Sequence, residues 1–134
     1  MSTTITTMSV HHIRLIVTDV ARSLHFYTSL LNFQLAAELP PGVVLTNGNI
    51  LLGLTPAWDA SQAPPNDHFS PHRVGLDHFS FSVADRAELE KAAALFAEHG
   101  VVHGEVRDLP PFGITILSFD DPDGIQVELT APLL

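Results

Sequence analysis

His12-Ile-Arg-Leu-Ile-Val-Thr-Asp19 recurs in outline as His78-Phe-Ser-Phe-Ser-Val-Ala-Asp85. Each stretch opens on a histidine, alternates like a strand and closes on an aspartate placed to cap a helix. In the first, strict alternation puts His12, Arg14 and Ile16 on one face and Ile13, Leu15 and Val17 on the other. In the second, His78, Ser80 and Ser82 oppose Phe79, Phe81 and Val83. The apolar face of each strand is expected to lie under the helix that follows it.

Outward from the first motif, Leu24, Tyr27, Leu30 and Leu31 recur at helical spacing, and Asn32 and Phe33 close the helix. Short strands are expected at Leu35–Glu38, Val43–Thr46 and Asn49–Leu54, separated by Pro40-Pro41-Gly42 and by the two-residue hairpin signal Asn47-Gly48. After the second motif, Asp85 and Glu88 resemble a capping box, and Leu89, Ala92, Ala93, Phe96 and Ala97 form an apolar stripe ended by Gly100. Strands are expected at Val101–Val106, Ile114–Phe119 and Ile125–Thr130, with Asp120-Asp-Pro-Asp-Gly124 turning between the last two. Both halves therefore read β-α-β-β-β.

The fold class expected is α+β: two such repeats forming an eight-stranded, half-open, barrel-like sheet around a trough, with the helices outside. Residues 1–134 read as a single domain, with repeat one at about 10–54, a linker at 55–75 and repeat two at about 76–132. Four prolines and scattered polar residues give the linker no apolar period, and its length marks it as a mobile or functional loop.

The 15 acidic and 6 basic residues, without a Lys/Arg cluster, argue against nucleic acid and anionic membrane surfaces as partners. No cysteine is present, so any metal falls to imidazole and carboxylate. The first ten residues lack the basic start and long apolar run of a signal peptide, and no stretch is apolar for long enough to span a bilayer. A cytoplasmic location is expected.

In Gln126-Val-Glu-Leu-Thr130 the alternation sets Gln126, Glu128 and Thr130 against Val127 and Leu129. His12, His78 and Glu128 would then face the trough together, as two imidazoles and a carboxylate able to hold a divalent ion. Arg14, Ser80 and Gln126 share that face as pocket candidates. Arg14 is read either as a clamp for an anionic or enolate oxygen or as a counter-charge to Glu128. His11 is expected to point away from His12, and His25 to face solvent. His68 and His72 are read as exposed linker residues, with a role over the trough as the alternative. His99 is placed to complement a helix C-terminus. Tyr27 reads as core. Trp58 and Phe69 read as packing anchors or as walls for an aromatic ligand.

The chain resembles the vicinal oxygen chelate superfamily, which includes glyoxalase I, extradiol dioxygenases, fosfomycin-resistance enzymes and bleomycin-binding resistance proteins. The resemblance is carried by His12 and its strand, Ser23-Leu-His-Phe-Tyr27, His78 in Asp-His-Phe-Ser-Phe-Ser-Val, and Asp-Pro-Asp-Gly-Ile-Gln-Val-Glu ending at Glu128. It implies that His12, His78 and Glu128 are metal ligands and that a further ligand position of the glyoxalase type falls near Gly53, which has no side chain. A three-ligand set resembles the dioxygenases more than the isomerases. Arg14 stands where a fosfomycin-resistance enzyme is expected to carry a small hydroxyl residue, and that family's Ser-rich, basic cation-binding loop is missing.

The implied activity is therefore that of a small metal-dependent enzyme acting on neighbouring oxygens of a small molecule, most concretely an extradiol dioxygenase. The implied metals are Fe(II) or Mn(II) first, with Zn(II) and Ni(II) as alternatives. A non-catalytic antibiotic-binding protein and a glyoxalase-like lyase stand as the other readings. A homodimer is implied, with the site built either within one chain or across two.

Overall fold

The computed structural model describes residues 3–134. The chain divides into two compact units, Met1–Ala63 and Pro64–Leu134, each holding one repeat.

In the first unit the motif becomes β1 (His12–Ile16) and α1 (Val20–Leu30). Asp19 caps α1 by accepting the Arg22 backbone N–H at 3.0 Å. The helix ends where Asn32 turns left-handed, at φ 58°, and Phe33 N–H reaches back to the Tyr27 carbonyl. β2 (Gln34–Leu39), β3 (Gly42–Thr46) and β4 (Leu51–Thr55) complete a four-stranded sheet in the order β1-β4-β3-β2. Only the β1–β4 pair is parallel, because the chain between those strands is long enough for a crossover. Ser23, Phe26 and Tyr27 form the buried part of α1, which packs on β3 and β4. Leu24, Leu30 and Leu31 are only half-buried. Leu15, Val17, Leu45, Leu52 and Leu54 supply the sheet side of the core, and Tyr27 is the core residue its spacing predicts.

Asn47-Gly48 does not make the expected two-residue hairpin. Asn47 Oδ1 accepts the N–H groups of Asn49 and Ile50, which draws residues 47–50 into the turn and starts β4 at Leu51.

The second unit repeats the arrangement with β5 (Phe79–Ser82), α2 (Arg86–Glu98), β6 (Arg107–Leu109), β7 (Ile114–Asp120) and β8 (Gln126–Pro132). Its order, β5-β8-β7-β6, copies the first sheet strand for strand, with β5 parallel to β8. Asp85 accepts the Glu88 N–H at 3.0 Å. At the other end of α2, Gly100 takes φ 67° while Val101 N–H bonds the Phe96 carbonyl. His99 caps that end, its Nδ1 lying 3.0 Å from the Leu95 carbonyl. Leu89 and Phe96 are the buried positions of the stripe, whereas Ala97 is exposed. α2 packs on β7 and β8, where Val127, Leu129 and Ala131 alternate inward. Phe96 stacks 4.5 Å from Phe119, and full burial of such a ring contributes about 1.5–3 kcal/mol.

Boundaries differ from expectation in this unit too, and β5 starts at Phe79, which leaves His78 just ahead of the strand. Val101–Val106 is not a strand: it touches β7 through one isolated bridge, His103 to Phe119, and the separate bonds Gly104 N–H to Ser118 O and Asp120 N–H to Val102 O. A continuous ladder starts only at Arg107, opposite Ile116. Asp120 belongs to β7, paired with Gln126, and the turn begins at Asp121, whose carboxylate accepts the N–H groups of Asp123 and Ile125 at 2.9 Å. Among the described residues no helix is long and apolar enough to cross a membrane.

Candidate functional site

The β7–β8 register pairs Ser118 with Glu128 and Asp120 with Gln126. These four residues alternate with the buried Leu117, Phe119, Val127 and Leu129, so they share the sheet face turned away from α2. His78, just ahead of β5, joins them with Nε2 at 3.4 Å from Glu128 Oε1. Ser118 Oγ donates to the other carboxylate oxygen of Glu128 at 3.3 Å. Asp77, His78, Ser118, Asp120, Gln126 and Glu128 line an open cleft of about 460 Å³.

The protonation pattern at His78 constrains the chemistry. Its Nδ1 lies 2.7 Å from Asp77 Oδ1, a contact that needs the proton on Nδ1. A neutral ring then turns the Nε2 lone pair toward a carboxylate oxygen of Glu128, whose side chain is only 18% exposed. A metal ion placed between these two acceptors would be held by both. The donor set of His78 and Glu128 fits a divalent metal in this respect, and Asp77 orients the ring as a supporting carboxylate does. Among the described residues, however, no group of three or more His, Asp or Glu side chains forms a metal-binding cluster. The second unit brings together two of the expected ligands.

The third, His12, opens β1 in the first unit and is exposed. Its Nδ1 lies 2.9 Å from Nδ1 of His11, and the two rings meet edge to face at 5.2 Å. His11 therefore turns toward His12 and not away from it. It sits outside β1, where strand alternation does not govern its direction. Arg14 pairs with Gly53 across β1 and β4, and a Cβ at Gly53 would lie 3.0 Å from Arg14 Cγ. The arginine stem thus covers the side-chain position that the glycine leaves open. Ser80 lies opposite Glu128, but its hydroxyl is engaged by the Glu128 carbonyl at 3.2 Å and by Thr130 Oγ1 at 2.5 Å.

Sequence reasoning missed Asp77, Ser118 and Asp120 as cleft residues. The period-two pattern from Leu117 to Asp120 carried the signal for Ser118 and Asp120. Burial pushes the Asp120 carboxyl above its ordinary value. His103, also unassigned from sequence, pairs with Phe119 and sets its ring 6.1 Å from Phe96, on the helix side of the sheet. His25, His68 and His72 are exposed, as expected; Trp58, 90% exposed, is not the packing anchor expected, while Phe69 is half-buried.

Residues 9–129 match the family described as the Glyoxalase/Bleomycin resistance protein/Dioxygenase superfamily. The chain belongs to this superfamily. Among its relatives, YaeR of Escherichia coli K12 is 33% identical over 127 residues, covering 90% of this chain and 93% of YaeR. A catechol-2,3-dioxygenase of Bacillus subtilis is 30% identical over 122 residues, covering 88% of this chain but 39% of the dioxygenase. A superfamily domain from Frankia sp. EAN1pec shares the fold with a TM-score of 0.80 and 26% identity, covering 95% of this chain and 93% of that domain. At less than 25% identity, a lactoylglutathione lyase, a fosfomycin resistance protein and an antibiotic binding protein share the fold alone. Superfamily members bind small molecules, generally use divalent metals and often form dimers.

Proposed function

We propose that this superfamily member is a small metal-dependent enzyme acting on a molecule with two neighbouring oxygens, most concretely as a ring-opening dioxygenase of catechol-like substrates. The observation that carries the reading is the approach of His78 Nε2 to Glu128 Oε1 with Nδ1 already committed to Asp77. His78 and Glu128 would hold the ion, Fe(II) or Mn(II) first, with His12 as the third ligand, from the same chain or from a second copy in a homodimer. When bound, the ion supplies Lewis acidity toward the paired oxygens and a position for dioxygen.

The chain's own groups then divide the remaining work. Asp77 fixes the tautomer of His78, and Ser118 orients the Glu128 carboxylate. Gln126 offers an amide to a substrate oxygen from the cleft wall. Arg14, with no hydrogen-bond or ion-pair partner among the described residues, would receive an anionic oxygen. The similarity to a catechol-2,3-dioxygenase supports the substrate class.

A second reading, a metal-free small-molecule binder, draws on the formal net charge of −9, which favours a cationic ligand, and on the shared fold of an antibiotic binding protein. Elemental analysis after anaerobic reconstitution with Fe(II), Mn(II) and Zn(II) separates the two. Near-stoichiometric metal in the parent, its loss in His78→Ala and Glu128→Ala, and oxygen uptake with catechols are expected. A parent that takes up no metal overturns the enzymatic reading and leaves the binder.

A further inference from the structure

Asp120 is a cleft carboxylate separate from the His78–Glu128 pair. It stands on β7 directly across from Gln126, one pleat along from the Ser118–Glu128 pair, on the same face and lining the same cleft as His78 and Glu128. Its neighbour on the same strand, Ser118, is committed to Glu128, whereas among the described residues no hydrogen bond or ion pair engages the Asp120 side chain. The ionisable groups lining the cleft with it are Glu128 from β8 and the Asp77–His78 pair ahead of β5. The edge segment contributes Val102 and Gly104, neither of them ionisable, and His103, whose ring lies toward Phe96 on the other side of the sheet. Among the described residues no ion pair reaches Asp120, and burial raises its carboxyl above the ordinary value. A carboxyl that lines the cleft on the same face as His78 and Glu128, with no hydrogen-bond or ion-pair partner among the described residues, is suited to taking up a proton and giving it back.

We propose that Asp120 is the proton-transferring catalytic carboxyl of the cleft, acting on a hydroxyl of a catechol-like substrate held beside His78 and Glu128. The step rests on the enzymatic reading above. The substrate O–H bond breaks as an O–H bond forms on the Asp120 carboxylate. Dioxygen is the oxidant, and both of its atoms enter the ring-opened product. The proton returns from Asp120 to a product oxygen, so the carboxylate ends as it began and no further reductant is needed.

The test compares parent and Asp120→Asn proteins, each loaded anaerobically with Fe(II). Iron content, the visible spectrum of bound 4-nitrocatechol, whose absorbance reports its ionisation, and oxygen uptake with catechol are measured between about pH 5 and 8. Asp120→Asn should keep its iron and bind the probe, but hold it less ionised than the parent does. Its kcat should fall on the order of 10²-fold, with the matching limb of the pH–rate profile lost. An unchanged kcat, pH profile and probe spectrum would overturn the proposal while leaving the enzymatic reading intact. Loss of iron in the variant would also overturn it, by making Asp120 part of the metal site. A parent with neither iron nor oxygen uptake would overturn the enzymatic reading and this step together.

Discussion

The Asp77 carboxylate lies 2.7 Å from Nδ1 of His78 and so decides which ring nitrogen faces Glu128. Asp77→Asn should leave the fold intact, since the side chain is exposed, and weaken metal binding about 10–100-fold. A chelator-competition titration of Zn(II) on parent and variant reads this directly. Equal affinities would show that the contact does not tune the ring.

Asp120 gives a stability prediction independent of substrate. Its folded-state carboxyl value is raised, so its contribution to stability is fully present below the unfolded value and lost as pH rises through the folded one. Asp120→Asn, which has no charge to desolvate, should therefore match the parent in acid and exceed it at neutral pH. Urea midpoints at the two pH values measure the gap, and a gap that widens toward acid contradicts the sign.

Ser23 is fully buried on α1, and its hydroxyl has no hydrogen-bond partner among the described residues. Removing an unsatisfied buried hydroxyl relieves a desolvation cost of about 1–3 kcal/mol, part of which is offset by lost packing. Ser23→Ala should be neutral or stabilising, with a Tm equal to or above that of the parent in a thermal melt.

Phe96 is fully buried between α2 and β7, with its ring against Phe119. Phe96→Ala should cost about 3–5 kcal/mol, read as a lower urea midpoint at unchanged slope. A loss below about 1 kcal/mol would mean that the second core collapses around the gap.

The caps should behave as a matched pair. Asp19 and Asp85 each accept the N–H of the third residue onward at 3.0 Å, so Asp19→Ala and Asp85→Ala should each cost about 1 kcal/mol in urea unfolding. A cost at only one site would show that the repeats do not share their capping energetics.

Local rules sufficed for much of this protein. The repeated His-to-Asp motif determined two β-α-β-β-β units, their helix caps and the strand faces that carry His12, Arg14, Ser80 and Glu128, because period-two alternation and N-capping act between near neighbours in the chain. The same rules misplaced the strand at Val101–Val106 and the turn at Asn47-Gly48, where one asparagine side chain and a broken ladder, invisible to periodicity, set the boundaries. Only the tertiary structure decided that Ser118 lies opposite Glu128, that Asp120 belongs to β7 and faces the cleft, and that Arg14 lies over Gly53. Register between strands joins residues far apart in sequence, and nothing in the local pattern of either strand fixes which residue of one meets which residue of the other.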